Sequence, residues 1–206
     1  APNIVSERRM RNMKSCLLCG VGGQGTVLAS RILAQAAMNQ DLFARTAETI
    51  GMAQRGGCVV SHVRFGKAED VASPLIPFGK ADVIIGFEPG EAVRCLPYLK
   101  KDGVVIVCKK AVQPVTASLS GSDYTADAML EYLKKKVSKC IVVDGEKICR
   151  ECGSDKVLNV ALVGAVIKSG ALNLSLANID RVIEERIKER FIEMNKKALR
   201  LGYKVI

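Results

Sequence analysis

The sequence predicts a three-layer α/β/α fold around a mainly parallel, Rossmann-like sheet. Three observations carry this. Apolar runs of strand length alternate with helical patterns along the chain, the order that βαβ units require. Two of those runs, Val83 to Phe87 and Val104 to Cys108, are almost continuously apolar, as strands buried on both faces are. The first run, Ser15 to Cys19, opens onto Gly20-Val21-Gly22-Gly23-Gln24-Gly25 and then a helical pattern. That strand–loop–helix setting is what gives a G-x-G-x-x-G match its meaning.

Taken in order, Ser15 to Cys19 is the first strand and Thr26 to Asn39 its helix. Val27, Ile32 and Leu33 form the apolar stripe, with alanines where the helix lies close to the sheet. The polar stretch 40–55 shows no strand pattern. Cys58 to Phe65 reads as a strand in which Ser61 and Arg64 lie among apolar residues. Ala81-Asp82 leads into the strand Val83 to Phe87, and Glu88-Pro89-Gly90-Glu91 opens a helix running through Leu99. Proline sits in its first turn and acids at its positive end. Lys101-Asp102-Gly103 is a turn into the strand Val104 to Cys108. Ala126 to Lys136 is helical, Cys140 to Val143 a strand, Asp144-Gly145 a turn, and Val157 to Lys168 a helix rich in small residues. Ser175 caps a last long helix on which Ile179, Ile183, Ile187, Phe191 and Met194 keep helical spacing. Residues 1–13 read as a flexible arm and 14–206 as a single domain, with no repeat or linker to divide it.

Composition narrows the class of protein. Hydrophobic residues make up 49% of the 206, but there is no Trp and only four Tyr and five Phe, so the core is built from Val, Ile, Leu and Ala. The formal charge of +10 is concentrated in residues 8–14, 134–139 and 188–200, which flank or form helices. No RNA-binding aromatic signature or zinc-finger spacing accompanies them. This argues against nucleic acid and for solvated basic faces or an acidic partner. The longest apolar stretch, Val157 to Ile167, is interrupted by Asn159 and ended by Lys168, too short to span a bilayer. Most of the eight cysteines fall in strand-like runs, where a free thiol acts as a small hydrophobe. With no signal-peptide pattern, the expected compartment is the reducing cytoplasm.

Two motifs carry chemistry. The loop Gly22-Gly23-Gln24-Gly25 precedes a helix, so it offers backbone N–H groups to a phosphate or carboxylate; a tight strand-to-helix turn with nothing bound fits the same residues. It has no Gly-Lys-Ser/Thr and is no P-loop. A dinucleotide site needs an acid at the end of a second strand, and Asp41 has the spacing but no strand before it. The second motif runs from Glu48 through Gln54-Arg55-Gly56-Gly57. Its paired glycines permit positive φ and close approach of another molecule. Arg55 is the candidate anion-binding residue, able to hold a carboxylate or phosphate through two parallel bonds; an ion pair beside a glycine turn is the plainer alternative.

Other candidates carry less. Cys16 and Cys19, three apart on a strand, point to opposite faces and cannot share a metal. Cys149 and Cys152 supply two of the four ligands a zinc site needs. No metal site is therefore expected, and the pair's redox role stays open. His62, the only histidine, sits in a strand pattern, as a hydrogen-bonded strand residue rather than a base.

The residues together carry a family resemblance. Gly20-x-Gly22-Gly23-Gln24-Gly25, then Gln54-Arg55-Gly56-Gly57, Ala81-Asp82-Val83, Glu88-Pro89-Gly90-Glu91-Ala92, Asn159-Val160 with Gly164, and Asn195 with Ala198 and Gly202 resemble the gamma domain of 2-oxoacid:ferredoxin oxidoreductases. The likeness spans residues 14–202 and is greatest for the free-standing subunit of the indolepyruvate enzymes, with the pyruvate/ketoisovalerate type next. It implies a subunit of a larger enzyme that decarboxylates a 2-oxoacid oxidatively, passes the acyl group to coenzyme A and sends electrons to ferredoxin. It implies that thiamine diphosphate and iron–sulfur clusters reside in a larger partner subunit, with no cofactor held by this chain alone. It further implies that Gly22, Gly23, Gln24, Gly25, Glu48, Gln54, Arg55, Gly56 and Gly57 border a substrate or coenzyme A site, or the subunit interface. A purely structural subunit and a stand-alone nucleotide-binding protein are the alternatives.

Overall fold

A computed structural model of the chain describes residues 13–50, 57–112 and 125–206. Strands β1 (Lys14–Val21), β2 (Phe43–Ile50), β3 (Cys58–Gly66), β4 (Ala81–Gly86), β5 (Leu99–Cys108) and β6 (Lys139–Val143) form one sheet in the order β2-β3-β1-β4-β5-β6. β1, β4, β5 and β6 run parallel, while β3 is antiparallel to both of its neighbours, β1 and β2. Alternate side chains therefore feed two cores. Cys16, Leu18, Val83, Ile85, Val104 and Ile106 face one layer, and Leu17, Cys19, Ile84, Val105 and Val107 the other.

The first layer holds α1 (Thr26–Met38), α4 (Gly145–Cys152), α5 (Leu158–Ser169), α6 (Leu176–Arg186) and α7 (Ile192–Tyr203). The second holds α2 (Pro89–Cys95) and α3 (Ala126–Lys136). The expected three layers and mostly parallel sheet are thus present. So is the opposed placing of Cys16 and Cys19, which belong to different cores.

Five expectations are corrected. The polar stretch after residue 40 contains β2, an edge strand. Ala44 and Ala47 are half-buried between the exposed Phe43, Arg45, Thr46 and Glu48, so the apolar signal of a central strand is missing. Lys101-Asp102-Gly103 lies inside β5, which slips register against β4 between Ala81 and Val83. Asp144 is not merely a turn residue. Its carboxylate accepts the Lys147 N–H at 3.0 Å and caps α4. Ser175 does cap a helix, accepting from Asn178 N–H, but that helix ends at Arg186. A 3₁₀ turn at Glu189–Phe191 separates it from α7. The helix expected through Leu99 likewise stops at Cys95 and passes through a 3₁₀ turn, Leu96–Tyr98, into β5.

Candidate functional site

The glycine loop joins the end of β1 to the start of α1. Gly23 and Gly25 take φ values of 98° and 82°, in the left-handed region that glycine occupies without steric cost. Gln24 folds back to brace the turn. Its Oε1 accepts the Val21 N–H at 2.7 Å and its Nε2 donates to the Phe87 carbonyl at 3.3 Å. The loop is thereby tied to the end of β4, the next parallel strand. Gly23 stays exposed, so its backbone is open to a ligand.

The second glycine motif meets the first where Gly22 N–H donates to the Gly57 carbonyl at 2.9 Å. Gln54, Arg55 and Gly56 lie outside the described residues. The residues flanking them are placed: Ile50 pairs with Val59, and Val21 with Cys58. Both ends of the intervening segment therefore stand at the end of the sheet where β1 terminates, Gly57 beside Gly22 and Ile50 two strands away. Glu48 does not join the loop. It is exposed on β2, and β3 intervenes between β2 and β1, a separation of about 10 Å at two strand spacings. Asp41 lies at the opposite end, in a turn with φ 59° just before β2. The dinucleotide arrangement is thus absent: the acid is at the wrong end of its strand, and that strand does not neighbour β1.

A cleft of about 510 Å³ opens beside the loop, lined by Gly23 and Gly25 together with Lys110, Glu146, Lys156 and Asn159. It lies at the C-terminal ends of parallel strands, where open α/β sheets bind ligands. α1 and α5 start at this cleft, and neither has a side-chain cap. The first N–H groups of α1 are therefore open to an anion, with the helix dipole aligned to favour negative charge. In α5, by contrast, Leu158 N–H donates to the Asp155 carbonyl and Val160 N–H to Asn159 Oδ1 at 2.9 Å. Asn159 joins the two helices. Its Nδ2 contacts the Gly25 carbonyl at 3.5 Å, and a Cβ on Gly25 would stand 2.7 Å from that nitrogen.

Lys110 pairs with Glu146 at 2.9 Å, both side chains more than half exposed. Lys156 and Asp155 balance in formal charge at the rim, so preference for an anion rests on the amides and dipoles. Cys108 and Cys149 line the inner wall; burial pushes both thiols up, Cys149 to about 11 with Asp155 adding to the effect. They are neutral lining at physiological pH. Lys110, Glu146, Lys156 and the floor residue Gly145 were not singled out from the sequence. The one available signal was the pair Asp144-Gly145 ending an apolar strand.

His62 behaves as a satisfied strand residue: its Nδ1 accepts the Ile76 N–H at 3.2 Å, and burial lowers its pKa. Among the described residues no three His, Cys, Asp or Glu side chains converge as metal ligands. No helix among them is long and apolar enough to cross a membrane.

Residues 15–205 match the profile of the pyruvate ferredoxin/flavodoxin oxidoreductase family. The chain belongs to that family. An indolepyruvate oxidoreductase subunit IorB of Archaeoglobus fulgidus is 38% identical over 188 residues, covering 91% of this chain and 92% of the relative. Among solved structures, pyruvate oxidoreductase subunit PORC of Thermotoga maritima superposes with a TM-score of 0.70 at 22% identity, covering 93% and 96% of the two chains. The 2-oxoglutarate:ferredoxin oxidoreductase of Magnetococcus marinus, with 2-oxoglutarate, coenzyme A and succinyl-CoA bound, gives a TM-score of 0.69 at 18% identity. It covers 94% of this chain, which matches 31% of that longer one. Those two likenesses establish the fold. Family and close relatives together make this chain a subunit of a 2-oxoacid:ferredoxin oxidoreductase. In this family member the open glycine loop belongs to a multi-subunit enzyme.

Proposed function

We propose that this chain is the gamma-type subunit of an indolepyruvate-class enzyme, a single domain over residues 14–206 working in the cytoplasm. The enzyme oxidatively decarboxylates an aryl 2-oxoacid to its acyl-CoA and passes the electrons to ferredoxin. A larger partner subunit holds thiamine diphosphate and the iron–sulfur clusters, and this chain supplies one wall of the shared site. The observation that carries the reading is the cleft where the uncapped start of α1 meets the glycine loop, walled by the start of α5. Support also comes from the coenzyme A bound in the Magnetococcus structure and from the name of the Archaeoglobus relative.

Coenzyme A, when bound, supplies the thiol that accepts the acyl group. The residues of this chain bind and orient it. The amides of residues 23 and 25–27 face its anionic groups, and at the rim Lys110 and Lys156 donate to them, Lys110 exchanging Glu146 for the ligand. Arg55 grips a carboxylate or phosphate, or holds the partner, from the segment between Ile50 and Gly57. Glu48, Gln54 and Gly56 border the same interface.

The test is reconstitution with the large subunit. Replacing Lys110 and Lys156 together by Ala should raise the KM for coenzyme A about tenfold, the loss of one charge-assisted contact after solvent screening, with little change in kcat. An unchanged KM removes the cleft from the proposal. Arg55→Glu should abolish assembly or turnover; a variant normal in both removes Arg55. Turnover of pyruvate or ketoisovalerate in preference to indolepyruvate would move the enzyme to the other subclass.

A further inference from the structure

At the opposite end of the sheet from the glycine loop, Arg64 of β3 is only 9% exposed. A buried cation is costly unless an anion compensates it. Its Nη1 is well used, donating to the carbonyls of Ser73 at 2.7 Å and Leu75 at 3.0 Å. This clamps the loop before β4 beneath the sheet.

The other edge of the guanidinium, Nε with Nη2, is the one that grips a carboxylate side-on through two parallel N–H bonds. Here that edge is left over. Nε is buried and has no acceptor among the described residues, and Nη2 donates only to the Met13 sulfur at 3.2 Å. A thioether is a weak acceptor. The acid lining the same cleft, Asp82, is already engaged: Oδ2 accepts the Ser15 N–H at 2.8 Å and Oδ1 pairs with Lys100. Among the described residues Arg64 thus has no ion pair, and burial alone acts on it, pulling its pKa down. The cleft, about 270 Å³, is lined by Met13, Arg64, Lys80, Asp82 and Lys100, three cations against one anion.

We propose that this cleft is a carboxylate-binding site, in which a carboxylate displaces the Met13 sulfur and takes the Nε–Nη2 edge of Arg64. Methionine is flexible and gives way at low cost, whereas a charge-assisted pair of bonds is about twice as strong as the neutral contact it replaces. Lys80 at the rim draws the anion in. Asp82 sets its valence, since a monoanion is repelled less by that fixed charge than a dianionic phosphate. The carboxylate is either a free small acid or an Asp or Glu side chain of a neighbouring subunit.

The test uses the full chain titrated with acetate, following the Arg64 Nε–H and Met13 methyl resonances. Both should shift saturably. Met13→Ala, which removes the plug and keeps the guanidinium, should bind acetate about tenfold more tightly, the release of one weak hydrogen bond. Arg64→Lys, which keeps the charge without the fork, should abolish the response while circular dichroism reports a folded chain. No saturable shift in both wild type and Met13→Ala overturns the proposal, as does tighter binding of inorganic phosphate than of acetate. Repeating the titration on the assembled enzyme identifies the source. A response that survives assembly marks a free acid as the ligand. One that assembly removes, with Arg64→Lys weakening assembly, marks a neighbour's side chain.

Discussion

Replacing Gly202 by Ala puts two opposed effects in direct competition. In a solvated helix interior the change is stabilising by roughly 0.8–1 kcal/mol, because glycine is the poorer helix former. Gly202, however, lies where α7 crosses α5. A Cβ there would stand 1.8 Å from the Ala161 carbonyl oxygen, and one on Gly164 would stand 2.2 Å from the Leu199 oxygen. Both obstacles are backbone, so no side-chain rotation relieves them. Restoring an ordinary carbon–oxygen contact of about 3.3 Å requires the helices to part locally by about 1.5 Å. A gap of that size forfeits much of the dispersion energy between packed surfaces, and the residues that lose it, Ala161, Ala165, Ala198 and Leu199, are wholly buried. Overpacking of this kind costs about 1–3 kcal/mol, and contact between two rigid backbones belongs at the upper end. The net loss should be about 2 kcal/mol, a fall in Tm of about 4–8 °C for a chain of this size. Thermal unfolding of the two proteins by circular dichroism measures it. A Tm equal to or above wild type would show that the helices part without loss and refute the reasoning. Gly164→Ala should act in the same direction, and the double variant should lose less than the sum, because one separation relieves both contacts.

Two further expectations follow from the site. Gly25→Ala forces an L residue to φ 82° and sets its Cβ 2.7 Å from Asn159 Nδ2. The left-handed backbone costs about 1–2 kcal/mol, and Asn159 must swing away from the loop. Stability should fall by that amount and the KM for coenzyme A should rise more than kcat falls; an unaltered KM separates the loop from binding. The second concerns alkali. Burial raises the Cys58 and Cys149 thiols from 9.0 to about 11. Through that window the unfolded thiols lose their protons while the folded ones keep them, so stability declines as pH rises from 9 to 11. Urea midpoints should fall across this range and flatten in a Cys58→Ser, Cys149→Ser variant; a slope that the double substitution leaves unchanged refutes the assignment.

Legibility in the sequence followed burial. β1, β4 and β5, covered on both faces, announce themselves as apolar runs, and α1 and α5 as stripes rich in small residues. β2 gives no such signal, because an edge strand with both faces largely in solvent has little to bury. The break between α6 and α7 was equally silent. Ile187 and Phe191 keep helical spacing across it with no Gly or Pro to mark the end. At the site, the loop was readable because its requirements are local. The rest of the cleft was not, because Lys110, Gly145 and Asn159 reach Gly25 only when distant segments pack.

The sequence by itself determined the strand–loop–helix unit, the need for glycine at Gly23 and Gly25, the alternation of strands and helices, and the family. Backbone sterics and hydrophobic periodicity act over a few residues, so these survive without a fold. Only the tertiary structure decided that the antiparallel β3 enters between β1 and β2. Strand order is a long-range choice, made by whichever pairing covers both faces of the sheet. That choice carries the end of β2 away from the glycine loop, removes the dinucleotide reading, and brings Gly57 against Gly22 instead.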